Sequence, residues 1–473
     1  MFDRKYTAFP GRLVVVGFGS IGQGVLPLLL RHIDLRPQQI TIVTAEPRGA
    51  DIAAEYGVRF VEQALTRENY RTVLDPMIGS GDFLLNVSVD VSSVALIELC
   101  RAKGVFYLDT CIEPWPGGYT NPNLPPAARS NYALRESALA LRRENRSGPT
   151  AVLTHGANPG LVSHFVKQAL VEVARRADPA TRPPLERQDW AALAERLDVK
   201  VIHIAERDTQ VSTMLAKEPG EFVNTWSIDG FFSEGSQPAE LGWGTHERHF
   251  PPDGRRHDFG SQAAIYLLRP GAGTRVRSWT PLEGPYLGFL ITHGESISIA
   301  DYLTLRDSAG VARYRPTCHY AYHPCDDAVL SLHELAGKNW QLQAQKRLMM
   351  GEISDGSDEL GVLLMAPQNR VYWYGSRLSI AEARRVAPHN NATSLQVTAA
   401  VLAGVIWAIE HPERGIVEPD EMDFARILEI ARPYLGEVVG VWGDWTPLQD
   451  RERLFPENLD RDDPWQFKNI RVV

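Results

Sequence analysis

Three stretches beyond residue 200 set carboxylates beside aromatic rings. IHIAERDTQ carries Glu206 and Asp208, NTWSIDGFFSEG carries Trp226, Asp229 and Glu234, and THGES carries His293 and Glu295. Carboxylates offer charge and hydrogen bonds to an ammonium group, and an indole face adds about 0.5–2 kcal/mol of cation–π attraction. Taken singly, an acid beside a strand is most often solvated and a tryptophan is more often core. It is the grouping that points to a cation pocket. The first half contributes Asp90, Asp109 and Glu113, each where an apolar run ends. Asp90, just before Val91-Ser92-Ser93, reads equally well as a helix cap. Glu113 lies between Ile112 and Pro114 with no adjacent helix to cap, and is the better substrate-facing candidate.

The run LVVVGFGSIGQG, Leu13 to Gly24, supplies a different chemistry. Four apolar residues lead into Gly17, Gly19 and Gly22, and an apolar, gently amphipathic run follows. Strand, tight turn and helix in that order set a pyrophosphate against a helix N-terminus. Gly17 permits the turn, Gly19 lets the backbone approach the phosphates, and Gly22 lets the helix pack close on its strand, with Ser20 and Ile21 between them. The next strand of such a unit usually ends in an acid that binds the adenosine ribose. Here it ends at Thr44, Glu46 sits two places late, and Arg48 could meet a 2′-phosphate. The residues leave NAD and NADP both open, and Glu46 and Arg48 read equally well as solvated loop charges.

These groups need a frame. Strands at 40–44, 58–61, 83–89, 105–109 and 151–154 alternate with helices at 51–56, 67–78 and 94–103. That alternation predicts an α/β fold, a doubly wound parallel sheet of the Rossmann type, with Asp90, Asp109 and Glu113 at its ligand-binding carboxyl edge. Asn158-Pro159-Gly160 opens a helix over 161–176, and a Pro- and charge-rich connector follows. Strand-like pieces then recur at 199–205, 222–232, 263–268, 274–279, 287–292, 361–365 and 371–374, with helical periodicity at 327–336 and 340–350. They predict a second, α+β domain on a mainly antiparallel sheet. The apolar stretch 393–410 is expected as a buried helix rather than a membrane span. The expected division is 1–157, 158–390, and a C-terminal helix and tail, 391–473, packing back on the first domain.

A net charge of −9 argues against a nucleic-acid surface and suits a cationic ligand. Four cysteines are too few for a disulfide framework and fit a reducing, cytoplasmic setting. The run Cys318 to Cys325 holds two cysteines and two histidines, but its spacing matches no common zinc pattern and Pro324 stiffens it. A packed aromatic strand end is expected there, and no metal.

GFGSIG, NVSVDVSS, YLDTCIEPW, THGANPG, HIAERDTQ, NTWSIDGFFSEG, THGESISIAD and TCHYAYHPC together resemble the bacterial homospermidine synthase family, and the match continues through GIVEPDEMD and DDPWQFKN. That family is similar to saccharopine dehydrogenases in architecture. The resemblance implies a homodimer that joins two putrescines into sym-homospermidine and ammonia, with tightly held NAD lending and recovering a hydride. It implies that Trp226 faces the cationic intermediate, that Glu234 relays protons, and that His293 and Glu295 complete the inner site. Asn158, Glu113 and Asp90 then flank the nicotinamide side, while Glu206 and Asp358 hold the far ammonium or line the entrance. The implied cofactor set is Gly17, Gly19, Ser20, Ile21, Gly22, Thr44 and Glu46, with Thr44 standing where the family pattern has a ribose-binding aspartate. Two other readings stay open. A saccharopine- or carboxyspermidine-type dehydrogenase needs a cation for a substrate carboxylate, and these motifs offer little beyond Arg207. A nucleotide-sensing protein without catalysis is expected to lack the acidic, aromatic pocket.

Overall fold

Leu13–Val16, four consecutive buried apolar residues, form an interior strand of a seven-stranded sheet. This computed structural model describes residues 4–144, 147–366 and 370–472. From one edge the strand order is Arg59–Glu62, Ile40–Thr44, Leu13–Val16, Phe83–Asn86, Phe106–Asp109, Ala151–Val152 and Ile416–Val417, every pair parallel. Continuous apolar runs suit strands covered on both faces. The helix Ser20–His32 packs with Val15 and Leu85 on one face, and Ser93–Lys103 with Val14 and Leu84 on the other. Strand order reverses between Leu13–Val16 and Phe83–Asn86, which opens a ligand crevice at their carboxyl ends.

The second sheet has eleven strands and runs from Gly254–Arg256 through Ala264–Pro270, Pro238–Gly242, Thr317–His323, Val201–Asp208, Ser357–Ala366 and Arg370–Ser379 to Glu437–Gly443. It is antiparallel except where Val201–Asp208 meets Thr317–His323. Alternation on Val201–Asp208 turns Ile202 and Ile204 into the core shared with the first sheet, and Val201 and Ala205 to the other side. Glu206 and Asp208 continue the inner face. The helix Ala392–Glu410 is long and apolar enough to cross a membrane, but 89% of that window is buried inside the fold. It packs on Ser20–His32 and on the strands Phe106–Asp109 and Ala151–Val152. Beyond it, Ile416–Val417 joins the first sheet, whereas Glu437–Gly443 and Arg471–Val472 join the second.

Local structure differs from expectation in several places, four of which bear on the site. The stretch 222–232 is not one strand: Glu221–Asn224 is followed by the helix Ile228–Ser236, capped by Ser227 Oγ accepting from the Gly230 N–H at 3.1 Å. The region 340–350 is not helical but contains the strand Gln345–Leu348, paired in parallel with Glu221–Asn224. Asp90 does not cap the following helix. Ser92 does, through its hydroxyl and the Ala95 N–H at 3.4 Å, leaving Asp90 in the left-handed region at φ 64°. Finally, Asn131–Glu144 is a helix absent from the expected elements.

That helix bolts the two sheets together. Glu240 of the second sheet accepts from the Asn131 and Tyr132 N–H groups at 2.7 and 3.2 Å, which neutralises the helix N-terminus. Further along the same helix, Arg135 grips Glu418 through two bonds of 2.6 and 2.8 Å and Asp301 through one of 2.8 Å. Arg135 is only 4% exposed, so its removal strands Glu418 in a poorly solvated place and leaves Asp301 with Arg187 alone. Arg135→Met is expected to cost about 3–5 kcal/mol of stability in denaturant unfolding. A loss below about 1 kcal/mol would mean that water screens the cluster as at a surface.

Candidate active site

The turn after Leu13–Val16 has the shape a dinucleotide pyrophosphate needs. Gly17 has φ 88° and donates its N–H to Val43 O at 2.9 Å, and a Cβ there would stand 2.7 Å from Ser88 Cα. A Cβ on Gly22 would meet Gly17 O at 2.8 Å, so helix and turn touch through backbone. At Gly19 the same construction meets nothing within 4 Å. The open space lies at the N-terminus of Ser20–His32, whose first turn carries no acidic residue. Ser20 and Ile21 open that helix, which favours an anion. Thr44 ends its strand at the edge of this crevice, and Glu46 and Arg48 lie beyond it, both mostly exposed and 3.9 Å apart.

Across the crevice, strand register gathers the acids. Glu206 is level with Tyr322 on one neighbour and Leu360 on the other, and Asp208 is level with Asp358. Glu206 Oε2 accepts from Tyr320 Oη at 2.5 Å and from Asn158 Nδ2 at 2.9 Å. Asp358 accepts from Thr393 Oγ1 at 2.5 Å, and Asp208 from Thr225 Oγ1 at 2.7 Å and Gln210 Nε2 at 3.1 Å. Burial pushes Glu206 up to about 7. Burial, and then Glu206 and Asp208, hold Asp358 well above the carboxylate range, and its Oδ1 has no hydrogen-bond donor among the described residues.

His293 stands between two of these acids. Its Nε2 lies 2.9 Å from Glu234 Oε2 and its Nδ1 3.2 Å from Glu295 Oε1. Burial alone would depress the imidazole, but Glu295 and Glu234 outweigh it and hold the ring cationic. The ring packs on Tyr320 at 4.5 Å, Tyr320 stacks on Tyr322 at 5.1 Å, and Tyr322 Oη accepts from Trp226 Nε1 at 3.1 Å. Phe231 supports the indole at 4.9 Å. Glu113 comes from the first sheet and accepts from the Asp90 N–H at 3.3 Å. Burial, with Glu234 and Asp90 adding to it, pushes Glu113 up to about 8. Asp90 itself stands at the solvent-facing rim, raised by partial desolvation and then by Asp229.

Glu113, Asn158, Glu206, Trp226, Glu234, His293, Glu295 and Asp358 thus form one connected constellation, with Asp90 at its rim and Thr44 and Glu46 at the cofactor edge. Sequence reasoning left out Tyr320 and Tyr322, which join the indole, the imidazolium and Glu206. The signal was in CHYAYHPC: two tyrosines at a spacing of two share one face of a strand. That strand is Thr317–His323. Asp208, noted but not assigned, faces the same way. Arg207 does not, and turns outward to Glu283 at 3.1 Å and Asp326 at 3.3 Å.

Residues 13–152 match the family described as saccharopine dehydrogenase NADP binding domain, and residues 156–444 the saccharopine dehydrogenase C-terminal domain. Fold and site therefore define a dinucleotide-dependent enzyme of the saccharopine dehydrogenase type. The homospermidine synthase of Blastochloris viridis is 56% identical over 470 residues, covering 99% of this chain and 98% of that protein. That of Mesorhizobium japonicum is 52% identical, covering 99% and 97%. The crystal structure of the homospermidine synthase from Legionella pneumophila in complex with NAD superposes with a TM-score of 0.92 at 51% identity, over 98% of both chains. The chain belongs to the homospermidine synthase family.

A cation bound among these acids lowers their pKa values, so groups protonated in the free protein ionise in the complex. With Glu113 at about 8 and Glu206 at about 7 before binding, protons are expelled on binding at pH 7. Calorimetric titration of a diamine in two buffers of different ionisation enthalpy is expected to show net proton release at that pH, declining towards pH 9 as Glu113 ionises in the free protein as well. Net uptake would place the ligand elsewhere.

Proposed function

We propose that this chain converts two putrescines into sym-homospermidine and ammonia, using NAD as a hydride store with no net redox. The observation that carries the reading is the excess of buried carboxylates around a single imidazolium, a site made for a dication. The outward turn of Arg207 favours an amine over a carboxylated amine, because the cation those motifs offered for a substrate carboxylate is on the wrong face.

An ammonium nitrogen has no lone pair, so a base must take one proton before hydride can leave the adjacent carbon. Glu234 is that base and relay. His293, held cationic against it, keeps its carboxylate oriented, and Glu295 holds the other side of the ring. NAD held at the glycine turn would supply a hydride acceptor for that carbon and a donor for the exchanged imine, so no other redox partner is needed. Between those events Glu234, its first proton passed on, takes one from the second putrescine, whose freed amine forms a bond to the iminium carbon. Glu113, with a proton affinity near the working pH, takes the proton that the newly bonded amine sheds and passes it to the first nitrogen, whose bond to carbon then breaks to release ammonia. Trp226, its indole aimed by the hydrogen bond to Tyr322, faces the cationic carbon. Asn158 and Asp90 flank the nicotinamide side, while Glu206 and Asp358 hold the distant ammonium. Gly17, Gly19, Ser20, Ile21 and Gly22 cradle the pyrophosphate, with Thr44 and Glu46 at the ribose.

The reading includes a division at 1–157, 158–390 and 391–473, and a homodimer working in the cytoplasm. Leu282 and Leu287, exposed on one hairpin of the second sheet, support a subunit contact, and four free thiols suit a reducing compartment.

Putrescine with a catalytic amount of NAD is expected to yield homospermidine without accumulating NADH; stoichiometric NADH would overturn the reading. Glu234→Gln should abolish turnover while NAD binding persists, and an active variant would remove Glu234 from the proton path. Trp226→Ala should lose kcat at least about tenfold more than Trp226→Phe, since only phenylalanine keeps a π-face. Equal losses would reduce Trp226 to packing.

A further inference from the structure

Next to the acidic constellation lies a small cavity of about 10 Å³. Three of its wall residues are chain neighbours of catalytic groups: Ile112 precedes Glu113, Pro159 follows Asn158, and Gly294 separates His293 from Glu295. Cys111 closes the same wall and feels the charges of Glu113, Glu234 and Glu295. Asn131 and Thr154 add polar groups. A cavity of about 10–15 Å³ with such partners holds one water-sized molecule. Ammonia has that size and hydrogen-bonding character; a diamine does not.

Arg135 and Glu418 also bound this cavity, and the same two residues line a second one of about 240 Å³ that opens to solvent beside Leu139 and Arg142. Their ion pair is a common wall between a one-molecule station beside the acidic constellation and an outer vestibule. The polyamine side of the site is the carboxylate-lined cleft with Asp90 at its rim. The protein therefore has two routes of very different calibre.

We propose that the small cavity and the vestibule form an outlet for the leaving nitrogen, which carries ammonia away past the Arg135–Glu418 pair while both polyamines use the acidic cleft. The proposal rests on the function proposed above, because that reaction is the source of the ammonia. When the bond from carbon to the first nitrogen breaks, Glu113 has supplied the proton and the nitrogen departs as neutral NH3, small enough for the station. Removing it through a separate opening keeps it from re-adding to the iminium while the second putrescine is still in the cleft. The route works in reverse as well. Ammonia entering through the vestibule adds to the iminium, the original nitrogen leaves as ammonia in its place, and hydride return to the new iminium then gives putrescine carrying the new nitrogen.

That reverse reaction is the test. Isotopically labelled ammonium is supplied with putrescine, NAD and enzyme, and label is followed into putrescine by mass spectrometry. Hydride transfer is read separately as the transient absorbance of reduced nicotinamide on mixing with putrescine. Cys111→Met narrows the inner cavity and Leu139→Trp fills the vestibule, and neither side chain touches substrate or cofactor in the proposed mechanism. Both variants are expected to lose at least about tenfold in label incorporation while keeping the native hydride-transfer rate and thermal midpoint. Native incorporation in the two variants overturns the outlet. So does an equal fall in hydride transfer and incorporation, because the cavity then belongs to the reacting centre. If the native enzyme releases no ammonia from putrescine, the proposed reaction itself fails, an outcome distinct from failure of the outlet alone.

Discussion

Uncompensated negative charge is the constraint on which this structure turns. Glu113, Glu206, Asp208, Glu295 and Asp358 are withdrawn from water around one cationic imidazole. Isolated carboxylates in such a place cost several kcal/mol each, so a protein keeps them only with protons, hydrogen bonds or a ligand cation to answer them. Two are present in the protein: hydroxyls of Tyr320, Thr225 and Thr393 donate, and burial raises several of the pKa values, while the dication proposed above would satisfy the remainder. The same charges that burden the free fold select the ligand.

Much of the frame was legible because it obeys local rules. The run from Leu13 to Gly24 announces strand, turn and helix by residue type alone, and the acids at strand ends follow from alternation. Other parts were hidden by non-local effects. Phe222 to Phe232 is rich in aromatics that favour strands, yet Ser227 caps a helix there, and the parallel partner at Gln345–Leu348 is more than a hundred residues away. The cap signal was visible in SIDG, but β propensity masked it. Tyr320 and Tyr322 looked like packing because their importance comes from register against Val201–Asp208, which no single strand encodes. The roles of the site residues were legible only through family motifs. Composition and spacing suggested an ammonium pocket without saying which carboxylate meets which nitrogen.

The site lies on a seam, so its geometry depends on how firmly the two sheets are held. Glu240 and Arg135 do this from a short stretch of the Asn131–Glu144 helix, one by meeting unpaired N–H groups and one by pairing two mostly buried acids. Asp301, one of those acids, belongs to the helix Gly294–Tyr302, which begins immediately after His293. The clamp between the halves and the orientation of the imidazole are therefore joined through one rigid element.

The strand Ile416–Val417 closes the edge of a sheet whose other six strands come from the first third of the chain. During synthesis those six strands are complete long before the seventh exists, and the apolar helix Ala392–Glu410 that covers one of their faces is equally late. Loop closure over such a separation is slow, and until it happens an open strand edge and an apolar face are available to other chains. The cofactor half, first off the ribosome, is thus among the last parts to mature, and the cell must shelter it until the far end of the chain arrives.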